Sequence, residues 1–273
     1  MNVTTVLGLA LALAFILGSV VVEGGHLGAL VNLPAAMIVF GGTFGAAVVT
    51  ARMEDVLNLP RVLHRAFFAR LPDPVRVSRQ MVEMARLARR EGFLELEKEV
   101  KRLERSSPFM AKALQMVADG TSPEVVTDVL RTEVAQLARR HRRGADLLMA
   151  MGGLAPTLGV TGTVMGLVHM MGKIEEPSAM GPAIASAFLA TLYGVASANV
   201  IFIPLATKLG AMSRDEQHIC EIILEGVRAI QRGDSPILVA EALKSFVPPN
   251  LRADLDGDGA AGEEGSGEHP RAA

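Results

Sequence analysis

Four long apolar stretches dominate the pattern of hydrophobic and polar positions along the chain. None of them contains an Asp, Glu, Lys or Arg, and they cover about 3–22, 28–50, 147–172 and 180–207. A bilayer core about 30 Å thick needs roughly 20 apolar residues at about 1.5 Å per residue. The pattern therefore predicts four transmembrane helices. The links 23–27 and 173–179 are short, which pairs these helices into two hairpins.

The segment between the two hairpins has the pattern of amphipathic helices. Within 75–104, apolar residues recur every three or four positions between charged ones, at Val77, Met81, Met84, Leu87, Phe93, Leu96 and Val100. This spacing places them on one face of a helix. A second helix is predicted over 123–141, where a proline and a glutamate open the run. The predicted fold class is an all-α integral membrane protein with a large helical cytoplasmic loop between transmembrane helices two and three.

The part after the fourth apolar stretch is expected to be helical and then disordered. Residues 209–232 are amphipathic, and a "GDSP" break separates them from a short helical pattern, "ILVAEALKSFV". From Pro248 the composition turns to Gly, Ala and acidic residues, which predicts disorder. "DLDGDG" at 254–259 resembles half of a calcium loop, but Gly265 stands where the bidentate glutamate belongs. No calcium site is predicted.

The predicted organisation has five parts. They are a transmembrane hairpin at 1–51, a cytoplasmic helical domain at 52–146, a second transmembrane hairpin at 147–207, a cytoplasmic helical tail at 208–247 and a disordered acidic tail at 248–273. The mean hydropathy of +0.34 and the 21% of charged residues fit this division, because neither a soluble domain nor a purely membrane-embedded chain combines them.

The distribution of basic residues predicts the orientation of the chain. Lys and Arg are absent from 1–51, number 19 within 52–146 and seven from Lys208 onward, whereas the hairpin links together hold only Lys173. Basic residues concentrate on the cytoplasmic side of a membrane. Both termini and the long loop are therefore expected in the cytoplasm. The "RRHRR" run at 139–143 is suited to contact with anionic membrane lipid.

The sequence contains no pattern typical of an enzyme active site. Cys220 is the single cysteine, and no Cys/His cluster has the spacing of a zinc site. No phosphate-binding glycine loop, nucleophile elbow or metal triad occurs, and "GGTFGA" neither follows a strand nor opens a helix of a βαβ unit. We expect a protein that is not an enzyme and that has no cofactor and no nucleic-acid partner.

Hydroxyl groups are the candidate chemistry inside the membrane. Thr163 and Thr191 lie at similar depths, roughly 13 and 16 Å below the outer ends of helices three and four. Such a pair can coordinate a hydrated ion or donate to a carboxylate, or each hydroxyl can simply bond to a carbonyl of its own helix. Because the spans contain no acid, any ion path needs a carboxylate from another chain.

Other residues of the spans have structural as well as functional interpretations. Glycines and alanines of helices three and four favour close helix packing. Pro156 removes a backbone donor, which gives either a static kink or a hinge. His169 is expected near the membrane interface, and Tyr193 and Asn199 are each explained by an interhelical hydrogen bond as well as by a pore.

Several segments together resemble the MotA/PomA family of flagellar motor stator proteins. The resemblance is carried by "LAPTLGVTGTVMGLVHMMGKIEEPSAMGPAIASAFLATLYGVASANVIFIPLATKL" (154–209), "IVFGGT" (38–43), "ARREGFLELE" (88–97) and "AIQRGDSPILV" (229–239). It implies a bacterial inner-membrane subunit, five copies of which ring a dimer of a MotB/PomB-type partner. The partner's single span would supply the missing aspartate, H⁺ or Na⁺ would be the transported ion, and the loop would push on the rotor protein FliG.

The resemblance also implies roles for individual residues. Thr163 and Thr191 would line the ion pathway, Pro156 and Pro204 would couple conformational change to ion flow, and Arg89, Arg90 and Glu97 would contact the rotor. Arg89 and Glu97 are eight residues apart, so one helix could display both charges on one face.

Two departures from the sodium-driven pattern favour protons, and two alternative functions stay open. Asn32 stands where sodium-driven members tend to carry an acid, and Ala190 replaces a second threonine. An ExbB/TolQ-type energiser is one alternative, although such proteins are expected to have three spans. A membrane scaffold that conducts no ions is the other.

Overall fold

The computed structural model describes residues 3–69, 71–252 and 255, and its regular structure over these residues is entirely helical. The α-helices are α1 (Val3–Val22), α2 (Leu33–Thr50), α3 (Met53–Phe68), α4 (Pro74–Glu91), α5 (Leu96–Leu103), α6 (Pro108–Ala118), α7 (Pro123–Met171), α8 (Pro177–Ala196), α9 (Ile203–Gln231) and α10 (Pro236–Lys244). Short 3₁₀ turns occur at Leu27–Leu30, Phe93–Glu95 and Pro249–Leu251.

The chain forms two compact units. Among the described residues, the membrane unit comprises 3–69 and 139–213, and the loop unit comprises 71–138, 214–252 and 255. Four helices are long and apolar enough to cross a membrane, which confirms the predicted number of spans. They are α1, α2, the C-terminal part of α7 and the run from α8 into α9.

The second span begins five residues later than predicted from the apolar pattern, at Leu33 instead of residue 28. Leu27–Leu30 forms a separate 3₁₀ turn. The side chain of Asn32 caps α2 by accepting a hydrogen bond from the Ala35 amide at 3.0 Å, and Pro34 occupies the first turn, where its missing N–H costs nothing. A π-helical stretch, Met37–Gly41, lies within α2.

Two predicted boundaries between membrane and water-facing segments lie inside continuous helices. The predicted helices 123–141 and 147–172 are one 49-residue helix, α7. Nothing between them stops a helix, and Arg142 and Asp146 form an i,i+4 ion pair at 3.6 Å across the predicted break. The fourth span likewise runs through a π-helical segment, Ser197–Phe202, directly into α9.

Helix α3 belongs to the membrane unit although its sequence was assigned to the loop domain. Its buried Ala66 and the adjacent Leu59, Val62, Leu63 and Phe67 pack in one cluster with residues of α2, α7 and α9. A β-carbon at Gly144 would lie 3.0 Å from Val62, so the absence of a side chain allows this close approach. The membrane unit therefore ends near residue 70 rather than at residue 51.

The loop unit has its own hydrophobic core, formed by α4, α5, α6, the beginning of α7, the end of α9 and α10. Most of the predicted apolar face over 75–104 is buried there, including Met81 and Leu96. Phe93 is an exception, because it is 39% exposed. The prediction of a single helix was wrong: α4 ends at Glu91, and Gly92 has φ 88°, a conformation that L side chains rarely adopt.

Ordered structure extends beyond the predicted start of disorder at Pro248. Pro249–Leu251 forms a 3₁₀ turn, and Leu255 is buried in a cluster with Val75 and Val247. The remainder of the predicted acidic tail, including all of "DLDGDG" except Leu255, lies outside the described residues.

Candidate functional site

Helices α7 and α8 approach so closely in the membrane unit that side chains are excluded between them. A β-carbon at Gly159 would lie 2.9 Å from the Ala190 carbonyl oxygen, and one at Gly194 would lie 2.5 Å from the Ala155 carbonyl oxygen. A β-carbon at Gly166 would lie 2.7 Å from that of Ala187. The predicted role of these small residues in close helix packing is confirmed.

This close approach brings the two predicted ion-path threonines together. The hydroxyl oxygens of Thr163 on α7 and Thr191 on α8 are in hydrogen-bonding contact, and both side chains are half-buried. The Thr163 hydroxyl also lies 3.1 Å from the Gly159 carbonyl oxygen of its own helix and 3.1 Å from the Ala187 carbonyl oxygen of α8. The Thr163 hydroxyl therefore contacts a carbonyl of its own helix, as the structural interpretation expects, and also groups of α8, whereas its role in an ion path stays a prediction.

The threonine pair has two alternative hydrogen-bond arrangements, since each hydroxyl carries a single proton. When Thr163 donates to a carbonyl, Thr191 donates to Thr163 and keeps lone pairs for an incoming donor or cation. When Thr163 donates to Thr191, the Thr191 proton is available for a carboxylate or water. Reversal of the bond between the oxygens would switch Thr191 between acceptor and donor, and its place in an ion path stays a prediction.

The two prolines interrupt backbone hydrogen bonding at the same end of this packed region, where a β-carbon at Gly152 would lie 2.6 Å from Ile203. Pro156, half-buried within α7, provides no N–H for the Gly152 carbonyl one turn earlier. Pro204 is exposed and follows the π-helical segment Ser197–Phe202 by two residues. The wider π turn accommodates a proline, because the chain there already departs from the i→i−4 pattern. Their role in conformational coupling stays a prediction.

A polar network that the sequence did not reveal joins the start of α2 to α8. The Asn32 side-chain oxygen accepts hydrogen bonds from the Ser186 hydroxyl at 3.0 Å and from the Ala35 amide at 3.0 Å. The backbone N–H of Asn32 donates to the Tyr193 hydroxyl at 2.9 Å, and that hydroxyl donates to the Leu30 carbonyl oxygen. The predicted interhelical bond of Tyr193 is confirmed. An Asn before Leu-Pro is a helix-cap signal that could have identified Asn32, whereas nothing in the sequence distinguishes Ser186.

This network borders a cavity of about 580 Å³ between α2, α7 and α8. His169 and Lys173 also line the cavity, and the side chain of His169 is exposed. Asn199 does not form the interhelical hydrogen bond suggested by the sequence, because its side-chain amide donates to the Val195 carbonyl of its own helix at 2.9 Å. Among the described residues, the polar contact at the centre of the α7–α8 interface is therefore the one between the hydroxyls of Thr163 and Thr191.

Two family profiles and several known proteins match the chain. The Motility protein A N-terminal profile covers residues 6–92, and that of the MotA/TolQ/ExbB proton channel family covers residues 101–222. Motility protein A of Borreliella burgdorferi is 34% identical over 94% of this chain and 98% of its own length. The chain belongs to the motility protein A family. Chemotaxis protein PomA of Vibrio alginolyticus, a sequence relative, is also 34% identical, over 93% of this chain and 98% of its own length.

Solved structures agree with this assignment to the motility protein A family. The C. jejuni MotAB structure superposes with a TM-score of 0.86 at 27% identity, covering 92% of this chain and 97% of the matched chain. The flagellar MotAB stator complex of Bacillus subtilis gives a TM-score of 0.84 at 31% identity, covering 91% and 97%. The chain is a flagellar stator subunit, and the four apolar helices fit an inner-membrane protein.

In this motility protein A family member, the predicted rotor-contact residues lie in the loop unit. Arg89 and Arg90 are exposed in the last turn of α4, and Glu97 is exposed in the first turn of α5. Arg89 and Glu97 do not share one helix as their spacing suggested, because Gly92 and a 3₁₀ turn separate α4 from α5. Glu97 has a long ion-pair contact of 3.7 Å with Lys101. Their contact with the rotor stays a prediction.

The metal-ligating and thiol side chains of the described residues form no further candidate site. No group of three or more His, Cys, Asp or Glu side chains is arranged there to hold a metal ion. Cys220 is buried in the core of the loop unit. Burial, with smaller contributions from Glu216, Glu133 and Glu221, raises the pKa of its thiol to about 12.

Proposed function

We propose that this stator subunit conducts protons along the side of the α7–α8 pair that carries Thr163 and Thr191, against a carboxylate supplied by a MotB-type partner. The observation that carries the proposal is the contact between the two hydroxyls in a span region without any acid. A buried carboxylate needs hydrogen-bond donors to hold its charge inside a membrane, and Thr191 can supply one. The matched C. jejuni and B. subtilis structures are of MotAB complexes, which supports a partner of this kind.

The geometry around the pair favours protons over sodium. A dehydrated metal cation needs several oxygen ligands, whereas a proton needs one acceptor at a time. Ala190 is 1% exposed, and its β-carbon lies 2.6 Å from the position that a β-carbon at Gly162 would occupy. Alanine has no hydroxyl, so this position adds no oxygen ligand to the pair. The Asn32 side-chain oxygen already accepts two hydrogen bonds.

The resemblance to the stator family adds an assembly to this proposal. Five copies of the subunit ring a partner dimer, and both termini and the loop unit face the cytoplasm, as the distribution of basic residues indicates. The loop unit then presents Arg89, Arg90 and Glu97 to the rotor protein FliG. Movement of α7 and α9 near Pro156 and Pro204 links ion passage to this surface.

The identity of the ion is tested by swimming speed in a stator-less strain that expresses this chain with its own partner. We expect speed to fall on addition of a protonophore and to persist when sodium is replaced by potassium. Swimming that requires sodium and tolerates the protonophore would overturn the proton assignment. Expression of the chain without its partner is the control, and it should give no motility.

A further inference from the structure

A second cavity of the membrane unit, separate from the threonine pair, lies between α1 and the end of the fourth span. Its volume is about 350 Å³. Polar groups on its lining come from Thr4, Thr5, Asn199 and Lys208, and apolar surface comes from residues such as Leu9 and Val200. Lys208 donates a hydrogen bond to the Thr5 hydroxyl, which joins the two walls of the cavity.

The described residues that line this cavity include a lysine but no carboxylate to balance its charge. None of the described residues that line it is an Asp or a Glu, and Lys208 is half-buried. An ammonium group has three N–H donors, and the bond to Thr5 uses one of them. Thr5 keeps its hydroxyl proton. Asn199 keeps one N–H after donating the other to the Val195 carbonyl. The cavity thus presents several donors and one positive charge, which suits an anion with multiple oxygens.

The position and walls of the cavity indicate where such an anion comes from. Thr4 and Thr5 stand at the beginning of the first span, and Lys208 directly follows the apolar run of the fourth, so the cavity lies at one membrane boundary. Phospholipid phosphates occupy this level of a bilayer, and lysines at helix ends extend toward it. Apolar wall residues are suited to the glycerol and upper acyl carbons of a lipid, whereas a free phosphate would gain nothing from them.

We propose that this cavity binds the phosphate of an anionic phospholipid, with Lys208 as the charged group and Thr5 and Asn199 as further donors. The site holds one lipid in a fixed place between α1 and the fourth span. It is separate from the proposed ion path, because neither Thr163 nor Thr191 lines the cavity, although Pro204, proposed above to couple ion passage to movement, does.

Native mass spectrometry of the full chain co-purified with its partner and titrated with dioleoylphosphatidylglycerol tests the proposal. We expect Lys208→Gln to weaken phosphatidylglycerol binding about fivefold, the effect of one lysine at an anionic membrane surface. Lys208→Arg keeps the charge and should retain binding. Lys173→Gln, which removes a lysine at the other hairpin end, is the matched control and should bind like the unaltered chain.

The arms of the experiment separate the sources of phosphate. Dioleoylphosphatidylcholine has the same acyl chains and should bind more weakly, and inorganic phosphate in excess should not displace the lipid. Displacement by inorganic phosphate, or equal binding by Lys208→Gln and the unaltered chain, would overturn the proposal. If Lys208→Gln does not assemble, phosphatidylglycerol binding is measured with Thr5→Val, which keeps the side-chain shape and removes the hydroxyl. Unchanged binding by that variant would also overturn the proposal.

Discussion

Thr163 and Thr191 differ in how their hydroxyls are held, although the sequence presents them as equivalent. Thr163 lies within 3.1 Å of two carbonyl oxygens, one on each helix, and therefore has acceptors for its proton inside the protein. For Thr191 the described hydrogen bond is the one to Thr163. We infer that Thr163 orients the pair and that Thr191 is the hydroxyl that meets the partner's carboxylate.

Substitutions at Thr191 test this difference. Thr191→Val keeps the side-chain shape and removes the hydroxyl, so we expect it to abolish swimming with the subunit still present in the membrane. Thr191→Ser restores the hydroxyl and should retain motility. The measurements are swimming speed and subunit abundance in membranes. Normal swimming by Thr191→Val would remove this hydroxyl from the ion path.

Cys220 provides a separate test of the loop-unit core, because it is the only cysteine of the chain. Its pKa of about 12 lies above the ordinary value of about 8.5, so the neutral thiol is favoured by folding. This contribution to stability is complete below about pH 8.5 and is lost as the pH rises toward about 12.

Maleimide labelling measures this protection. The thiolate is the reactive form, so at about pH 8 we expect almost no labelling of the folded chain and rapid labelling after unfolding in detergent. The control is the same chain with an exposed residue changed to cysteine, Arg131→Cys, which should label at once. Rapid labelling of Cys220 in the folded chain would show that the loop-unit core opens readily.

At the scale of helix pairs, the spacing of α7 and α8 is set by close contacts between their backbones rather than by polar side-chain contacts. Gly194 faces the Ala155 carbonyl and the backbone of Gly159, and Gly166 faces the backbone of Ala187. These contacts keep α7 and α8 in the register that aligns Thr163 with Thr191. A helix that moved along its neighbour by one turn, about 5.4 Å, would separate the two hydroxyls.

Gly194→Ala tests whether this packing supports the site. The new β-carbon would lie 2.5 Å from the Ala155 carbonyl oxygen, so the helices must separate, at a cost of about 1–3 kcal/mol. We expect lower thermal stability of the solubilised complex and impaired swimming. Gly153→Ala is the matched control, because a β-carbon there meets nothing within 4 Å in this chain. Equal stability of the two variants would contradict a tight interface at Gly194.

Across the whole molecule, continuous helices connect the membrane-spanning segments to the loop unit. Helix α7 contains Thr163 and Pro156 and extends back to Pro123, and the fourth span continues through Pro204 into α9 as far as Gln231. A continuous helix transmits a displacement along its axis more directly than a flexible linker does. This continuity supports the proposal that ion passage at the spans moves the residues proposed to contact the rotor.

Charge reversal in the loop unit tests that surface. Each exposed charge pair contributes about 0–1 kcal/mol, so Arg89→Glu, Arg90→Glu and Glu97→Lys together should lower torque more than any single change. Arg131→Glu changes another exposed charge of the loop unit and should leave torque nearly unchanged. Torque is read from the rotation speed of tethered cells. Normal torque in the triple variant would exclude an electrostatic contact through these residues.

The hydropathy pattern alone determined the four spans, and the resemblance carried by the segments over 38–43, 88–97, 154–209 and 229–239 determined the family. Spans can be predicted because a bilayer imposes a length and an apolar composition on each helix separately. The buried face of α4 was predictable for the same local reason, since its apolar residues repeat with the period of a helix.

Contacts between helices depended on the tertiary structure. A span that is apolar on all sides does not reveal which side meets its neighbour, so the contact of Thr163 with Thr191 and the network of Asn32, Ser186 and Tyr193 could not be derived from spacing. The end of α4 at Gly92 and the uninterrupted α7 were missed for a different reason, because the hydrophobic pattern continues through the first and pauses within the second, whereas a glycine with positive φ ends α4 and nothing stops α7.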